Sequence, residues 1–187
     1  MGISDEAGIG TVKSQDSRYI LFKVNGNLWR YDQSDHRIMC VFTFSNGETD
    51  DVRSSYGDHD VQILRAGDDG SADFLVYGYM NRGPYEGQTG VIFYRYDAGS
   101  NTVQEKFFIP VVQEFEKLKK DVEQLAYVSP GEMVYLMLNG NVFGIDLSSN
   151  ESISVAQGLT EGTFAVSHDG SRMDGRKERG HPMRGFM

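Results

Sequence analysis

The chain has 187 residues and a formal charge of −9 at pH 7, from 18 Lys and Arg against 27 Asp and Glu. That length suits one well-buried domain, and an acidic chain without a basic stripe repels a phosphate backbone, which argues against nucleic acid as a partner. No run approaches the roughly 18 apolar residues of a membrane span, and the single cysteine excludes an intramolecular disulfide and paired-cysteine metal sites.

Twenty-two glycines and 12 % aromatics, with few helix-forming blocks, point to many short strands joined by Gly-rich turns. Residues 1–9 are small and polar and read as a loose N-terminus. Alternation then predicts strands over 10–14, 19–24, 28–32 and 38–44, with the hairpin signal Asn25-Gly26 between the second and third. Cys40, inside the apolar run IMCVFTF, reads as a buried small hydrophobe. A second set of four follows at 61–66, 74–80, 91–96 and 103–109. The segment VVQEFEKLKKDVE (111–123) breaks the pattern: Phe115, Leu118 and Val122 recur at helical spacing, which predicts a short surface helix. A third set covers 123–128, 133–138, 142–145 and 153–156. A strand over 163–167 opens a fourth, after which periodicity is lost. The tail 172–187 is basic, Gly-rich and unpatterned and is expected to be disordered, as if the fourth set were truncated or read in another frame.

One phrase recurs in the three complete sets: NGNLWRYD (25–32), GVIFYRYD (90–97) and NGNVFGID (139–146). Each copy carries an aromatic at one position (Trp29, Tyr94, Phe143) and stops at an aspartate (Asp32, Asp97, Asp146), the aspartates lying 65 and 49 residues apart. Units of about 45 to 60 residues, each an up-and-down meander of four strands, mark propeller blades. The expected fold is therefore all-β: a partial β-propeller in a single domain over 10–171, with blades at about 10–44, 60–109 and 122–157, the opening strand of a fourth at 162–171, and one short helix between blades. The phrase FAVSHDGSRM (164–173) resembles the S-P-D-G turn of TolB-like and WD-repeat-like bacterial propellers, with His168 in place of the usual proline. The resemblance implies a fold and, with it, a periplasmic or cell-surface placement; it implies no activity. Tyr77, Tyr79, Tyr94 and Tyr96 read as aromatic packing between adjacent blades.

Strand parity locates the function. In an antiparallel meander, first-to-second and third-to-fourth connections share one end, and the remaining connections share the other. The first group is short throughout. The long connections 45–60, 81–90 and 110–121 all fall in the second group, so one rim carries the loops on which binding groups usually sit. The loop NRGPYEGQTG (81–90) offers Arg82, Tyr85, Glu86 and Gln88: a guanidinium for a carboxylate or sulfate, and a ring to stack on a sugar or peptide group. The loop 45–60 gathers Glu48, Asp50, Asp51, Asp58, His59 and Asp60, but without the ligand order of a calcium loop. Asp58 and His59 are its candidate binding residues. Asp68, Asp69 and Asp73 read as turn formers on the short-turn rim.

No catalytic residue, metal site or cofactor site is expected: there is no nucleophile elbow, P-loop or dinucleotide fingerprint, and the four histidines fall in separate segments. The leading expectation is a non-enzymatic binding or scaffold module for a peptide, glycan or protein partner. The alternatives are an accessory or catalytic propeller portion of a hydrolase acting on glycans or peptides, and an extracytoplasmic sensor domain. Three blades leave apolar flanks, which predicts either further blades or self-association to close the ring.

Overall fold

The structure, a computed structural model, describes residues 10–24, 27–43, 59–80, 83–128, 132–149, 151–157, 162–167 and 172–177. Two compact units carry these segments, Met1–Pro110 and Val111–Met187.

In the first unit, β1 (Thr11–Lys13), β2 (Tyr19–Val24), β3 (Asn27–Asp32) and β4 (Arg37–Phe42) form one antiparallel sheet in chain order. A second sheet follows the same order with β5 (His59–Ala66), β6 (Ala72–Met80), β7 (Gln88–Asp97) and β8 (Thr102–Pro110). The second unit opens with helix α1 (Phe115–Glu123). It continues with a third sheet of β9 (Ala126–Val128), β10 (Met133–Leu138), β11 (Asn141–Asp146) and β12 (Glu151–Ala156), again in chain order. Among the described residues, three four-stranded meanders and one α-helix confirm the all-β, partial-propeller fold class. The helix is shorter than 111–123, starting at Phe115, and its apolar stripe is spent inside its own unit: Leu118 and Val122 are fully buried beside β10.

The fourth set differs from expectation. β13 (Gly162–Val166) is paired in antiparallel register with β14 (Met173–Lys177), a strand inside the segment read as an unpatterned tail. MDGRK has no apolar alternation, so it becomes a strand through the ladder that β13 offers, not through its own periodicity. Residues 178–187 lie outside the described residues.

The repeat is legible atom by atom in its turns. Each third-strand aspartate folds back on the turn that follows it. Asp32 Oδ1 accepts the Ser34 amide (2.9 Å) and hydroxyl (2.7 Å). Asp97 Oδ1 takes the same pair from Ser100, at 2.7 and 2.9 Å. Asp146 Oδ1 takes the Ser148 hydroxyl (2.6 Å) and amide (2.8 Å), and the Ser149 amide (3.1 Å). An aspartate that satisfies turn amides fixes the reversal and hence the register of the next strand. Beyond the turn, each third–fourth strand pair shifts register at one place, between Leu28 and Trp29, Phe93 and Tyr94, and Val142 and Phe143. These are identical positions of the repeated phrase, so the bulge, with the added twist it brings, is part of the repeat. In the third sheet the Asn139-Gly140 hairpin has φ of 49° and 77°, the positive pair that a two-residue turn of this kind requires.

Alternation then sorts side chains onto two faces. Leu21, Leu28 and Val41 of the first sheet pack against Val61, Ile63, Ala72, Phe74, Val76 and Tyr96 of the second. Phe42, Phe74 and Tyr94 form an aromatic cluster there, with centroids 5.0 to 5.4 Å apart. Burial pushes the Tyr94 hydroxyl up to about 12. In the second unit the equivalent position to Leu28, Val142, joins Met137 against Phe164 and Met173 of the β13–β14 pair. Among the four strand tyrosines, Tyr94 and Tyr96 pack between sheets as expected. Tyr77 is buried on the opposite face, and Tyr79 is exposed. Cys40 corrects its expectation: it is exposed, because it shares the outward parity of Trp29 while the bulge turns Val41 inward.

The turn aspartates make an acid-stability prediction. The Ser148 hydroxyl, with the Ser149 and Ser148 amides, holds the Asp146 carboxyl at about 2, against about 3.9 for a free aspartate. The folded-state value is the lower one, so the stabilisation is present above about pH 4 and is lost as pH falls toward about 2. Asp146→Asn keeps an acceptor but cannot titrate. Its thermal midpoint is expected to fall less than the wild type's across that window; parallel melting curves would contradict the turn assignment.

Candidate functional site

The long-loop rim of the first unit is the end at which β2 and β6 finish and β3, β5 and β7 begin. Of the residues expected there, Asp58 and Arg82 lie outside the described residues, as do Glu48, Asp50 and Asp51. His59 is the first residue of β5, half-buried opposite Gly78. Gln88 is not a loop residue: β7 starts there, three residues earlier than alternation indicated, with Gln88 exposed opposite Met80. The Gly87 amide donates to Met80 O at 2.7 Å and closes the connection. Glu86 is exposed in the remaining tight loop.

Tyr85 is held and not freely displayed. It ends a short 3₁₀ turn, Gly83–Tyr85, and its ring lies 3.8 Å from that of Phe108, tilted by 18°. Its hydroxyl donates to Glu105 Oε1, and that carboxylate raises the phenol above its ordinary value. Gly90 makes the ledge possible: a Cβ there would lie 2.4 Å from the Phe108 ring and 2.6 Å from Ile109 O. One face of Tyr85 is therefore covered by its own sheet.

The structure adds a cluster that sequence reasoning did not assemble. Asp60 Oδ2 accepts Lys23 Nζ at 2.7 Å and the Tyr77 hydroxyl at 3.3 Å, while Oδ1 takes the Val61 amide at 2.7 Å. The Lys23 and Asp60 side chains are 19 % and 23 % exposed, enough burial to make the pair directional without sealing it from the rim. Lys23 had a signal in the sequence. Tyr19, Leu21 and Lys23 share the inward face of β2, and a lysine at the third inward position needs a partner.

The opposite rim is chemically spent. Asp69 accepts the Ser71 hydroxyl and, at 2.9 Å, the Ser71 amide, and both contacts depress its carboxyl. Asp16 accepts the Ser14 hydroxyl and the Arg18 amide. Arg18 forms a two-pronged pair with Asp32, at 3.2 and 3.0 Å, which holds that carboxyl well below the usual range. Asp73 is not a turn former. It is 1 % exposed in β6, and Arg65 (2.8 Å) and Arg95 (2.7 Å) reach it from the strands on either side. Arg30, the counterpart of Arg95 in the first repeat, lies over the Tyr19 and Tyr96 rings at 5.1 and 5.5 Å and donates to Gly70 O. Gly70, at φ 83°, is where the second sheet's first turn approaches it.

Among the described residues no three His, Cys, Asp or Glu side chains gather as a metal site, and no helix is long and apolar enough to cross a membrane.

Neither protein-family models nor curated proteins match the chain. Among solved structures it is similar to dipeptidyl peptidase 4 of Porphyromonas gingivalis: 14 % identity and TM-score 0.45, over 86 % of this chain and 21 % of that one. It is also similar to an oligogalacturonate lyase from Vibrio parahaemolyticus: 10 % identity and TM-score 0.30, over 87 % of this chain and 68 % of that one. The chain thus spans about a fifth of the length of the first of these. Its own strand order defines the class, a propeller-type repeat of four-stranded meanders.

The Lys23–Asp60 pair carries a direct test. Asp60→Asn leaves a mostly buried ammonium without its counter-charge and is expected to cost roughly 1–3 kcal/mol in urea unfolding. Lys23→Met suits the apolar parity of β2 and is expected to cost less. Equal stability of Asp60→Asn and wild type would contradict the pairing.

Proposed function

We propose that the chain is a non-enzymatic binding or scaffold module of a TolB-like or WD-repeat-like propeller protein, taking a peptide, glycan or protein partner on its long-loop rim. The observation that supports this reading is the asymmetry between the two ends of the first unit. At the short-turn end, Asp16, Asp32, Asp69 and Asp97 are spent on turn amides and hydroxyls. At the other end, Glu86 and Gln88 are exposed beside an aromatic ledge, Tyr85 on Phe108, and a Lys23–Asp60–Tyr77 cluster that is only partly buried. A rigid sheet that presents polar side chains next to a fixed ring suits recognition. The resemblance of 164–173 to TolB-like turns favours a periplasmic or cell-surface setting.

Peptide and glycan arrays probed with wild type and with Arg82→Ala, Tyr85→Ala and Glu86→Ala test the rim. Each substitution is expected to weaken any captured ligand about tenfold or more, while Asp35→Ala, on the short-turn rim, leaves capture unchanged. Undiminished capture by all three rim variants would overturn the assignment.

A further inference from the structure

On the face of the second sheet that meets the first, the register runs outward from the aromatic cluster. Tyr94 stands opposite Glu105 and Ile92 opposite Phe108, so both β8 side chains share the face on which Tyr94 meets Phe42. β8 is the strand furthest from β5, along which the two sheets come closest. Phe42, Tyr94, Tyr85 and Phe108 are half-buried there, and Glu105 is exposed.

This arrangement sets one carboxylate beside two phenol rings. Tyr85 lies on Phe108 with one ring face, which leaves the other open, and its hydroxyl donates to Glu105 Oε1. Tyr94, directly across the ladder, feels the same charge: after burial, Glu105 is the next cause that raises its hydroxyl. The face of an aromatic ring is itself negative, so ring and carboxylate add in sign and favour a cation. An anion is repelled. A neutral sugar uses the ring and leaves the charge unmatched, whereas a basic side chain uses both.

We propose that this recess takes an arginine side chain of a peptide partner, a reading that rests on the rim assignment and narrows its partner to a basic peptide. The planar guanidinium lies along the open face of Tyr85 and donates to the Glu105 carboxylate, while the aliphatic stem covers the ring edges. The net charge of −9 adds attraction at long range and favours encounter with a basic segment over an acidic one.

Nuclear magnetic resonance titration of the whole chain with labelled Tyr rings tests the site. The probes are N-acetyl-arginine amide, N-acetyl-glutamate amide and methyl glucoside. The arginine probe is expected to shift the Tyr85 ring signals saturably, and the other two to leave them in place. Glu105→Gln keeps an acceptor for the Tyr85 hydroxyl and removes the charge. It is expected to weaken the arginine probe roughly fivefold or more, with an unchanged melting curve because the side chain is exposed. Added salt is expected to weaken the wild type more than Glu105→Gln. No saturable shift with the arginine probe, an equal shift with either of the others, or binding indifferent to both Glu105→Gln and salt would each overturn the proposal. Array capture that falls with Tyr85→Ala and stays with Glu105→Gln would overturn the arginine site and leave the rim assignment standing.

Discussion

The contact on which the first unit depends is the packing of the first meander's forward face on the second meander's backward face. In the first unit it is made by Leu21, Leu28 and Phe42 against Phe74, Tyr94 and Tyr96. A four-stranded sheet with both faces apolar cannot stand alone in water, and each additional sheet removes one such face from solvent. Period-two alternation makes this possible, since a single strand can serve two interfaces, one with each parity. The price of that economy is that register becomes all-important: a slip of one residue would exchange the two faces.

Register is held by the polar atoms of the repeat. Asp32, Asp97 and Asp146 tie down the turn after each third strand, and the bulge recurs at the same step in all three sheets. Near the short-turn end of the second sheet, Asp73 stands between Arg65 and Arg95 on adjacent strands, a buried carboxylate with two cations in ladder register. A register slip there would leave the carboxylate buried and unpaired, a strong penalty against misalignment. The third repeat has no such arrangement. Gly144 replaces the arginine, and a Cβ at that position would lie 3.3 Å from the Tyr135 ring.

Much of this was legible in the sequence. β2 and β10 match their alternation to the residue, because each is rich in apolar and aromatic residues and is followed by Asn-Gly in the sequence. What escaped depended on partners distant in sequence. β14 is a strand because β13 pairs with it, and MDGRK alone gives no sign of that. Cys40 faces outward because a run such as IMCVF has no polar residue to declare which parity meets the core, and the bulge at Val41 decides it. Asp73 read as a turn residue because its two arginines converge from different strands. At the rim, glycines on either side of Gln88 read as loop, whereas the ladder starts at Gln88 opposite Met80 and carries the strand through Gly90. Tyr85 was identified as a site residue, but its stacking on Phe108 follows from the missing side chain at Gly90, visible only in three dimensions.

The functional reading inherits its geometry from the same packing. The Lys23–Asp60 bond joins the first sheet to the second at the long-loop end, so the rim is shaped only if the two faces meet in the described register. The most direct test is therefore the aromatic contact itself. Nuclear Overhauser spectroscopy on a sample with labelled Phe and Tyr rings should show cross-peaks between Phe42 and both Phe74 and Tyr94, whose centroids lie 5.2 and 5.0 Å from it. Their presence is the predicted result. A folded protein in which the Phe42 ring protons show no contact with either residue would contradict the sheet-on-sheet packing and the rim built on it.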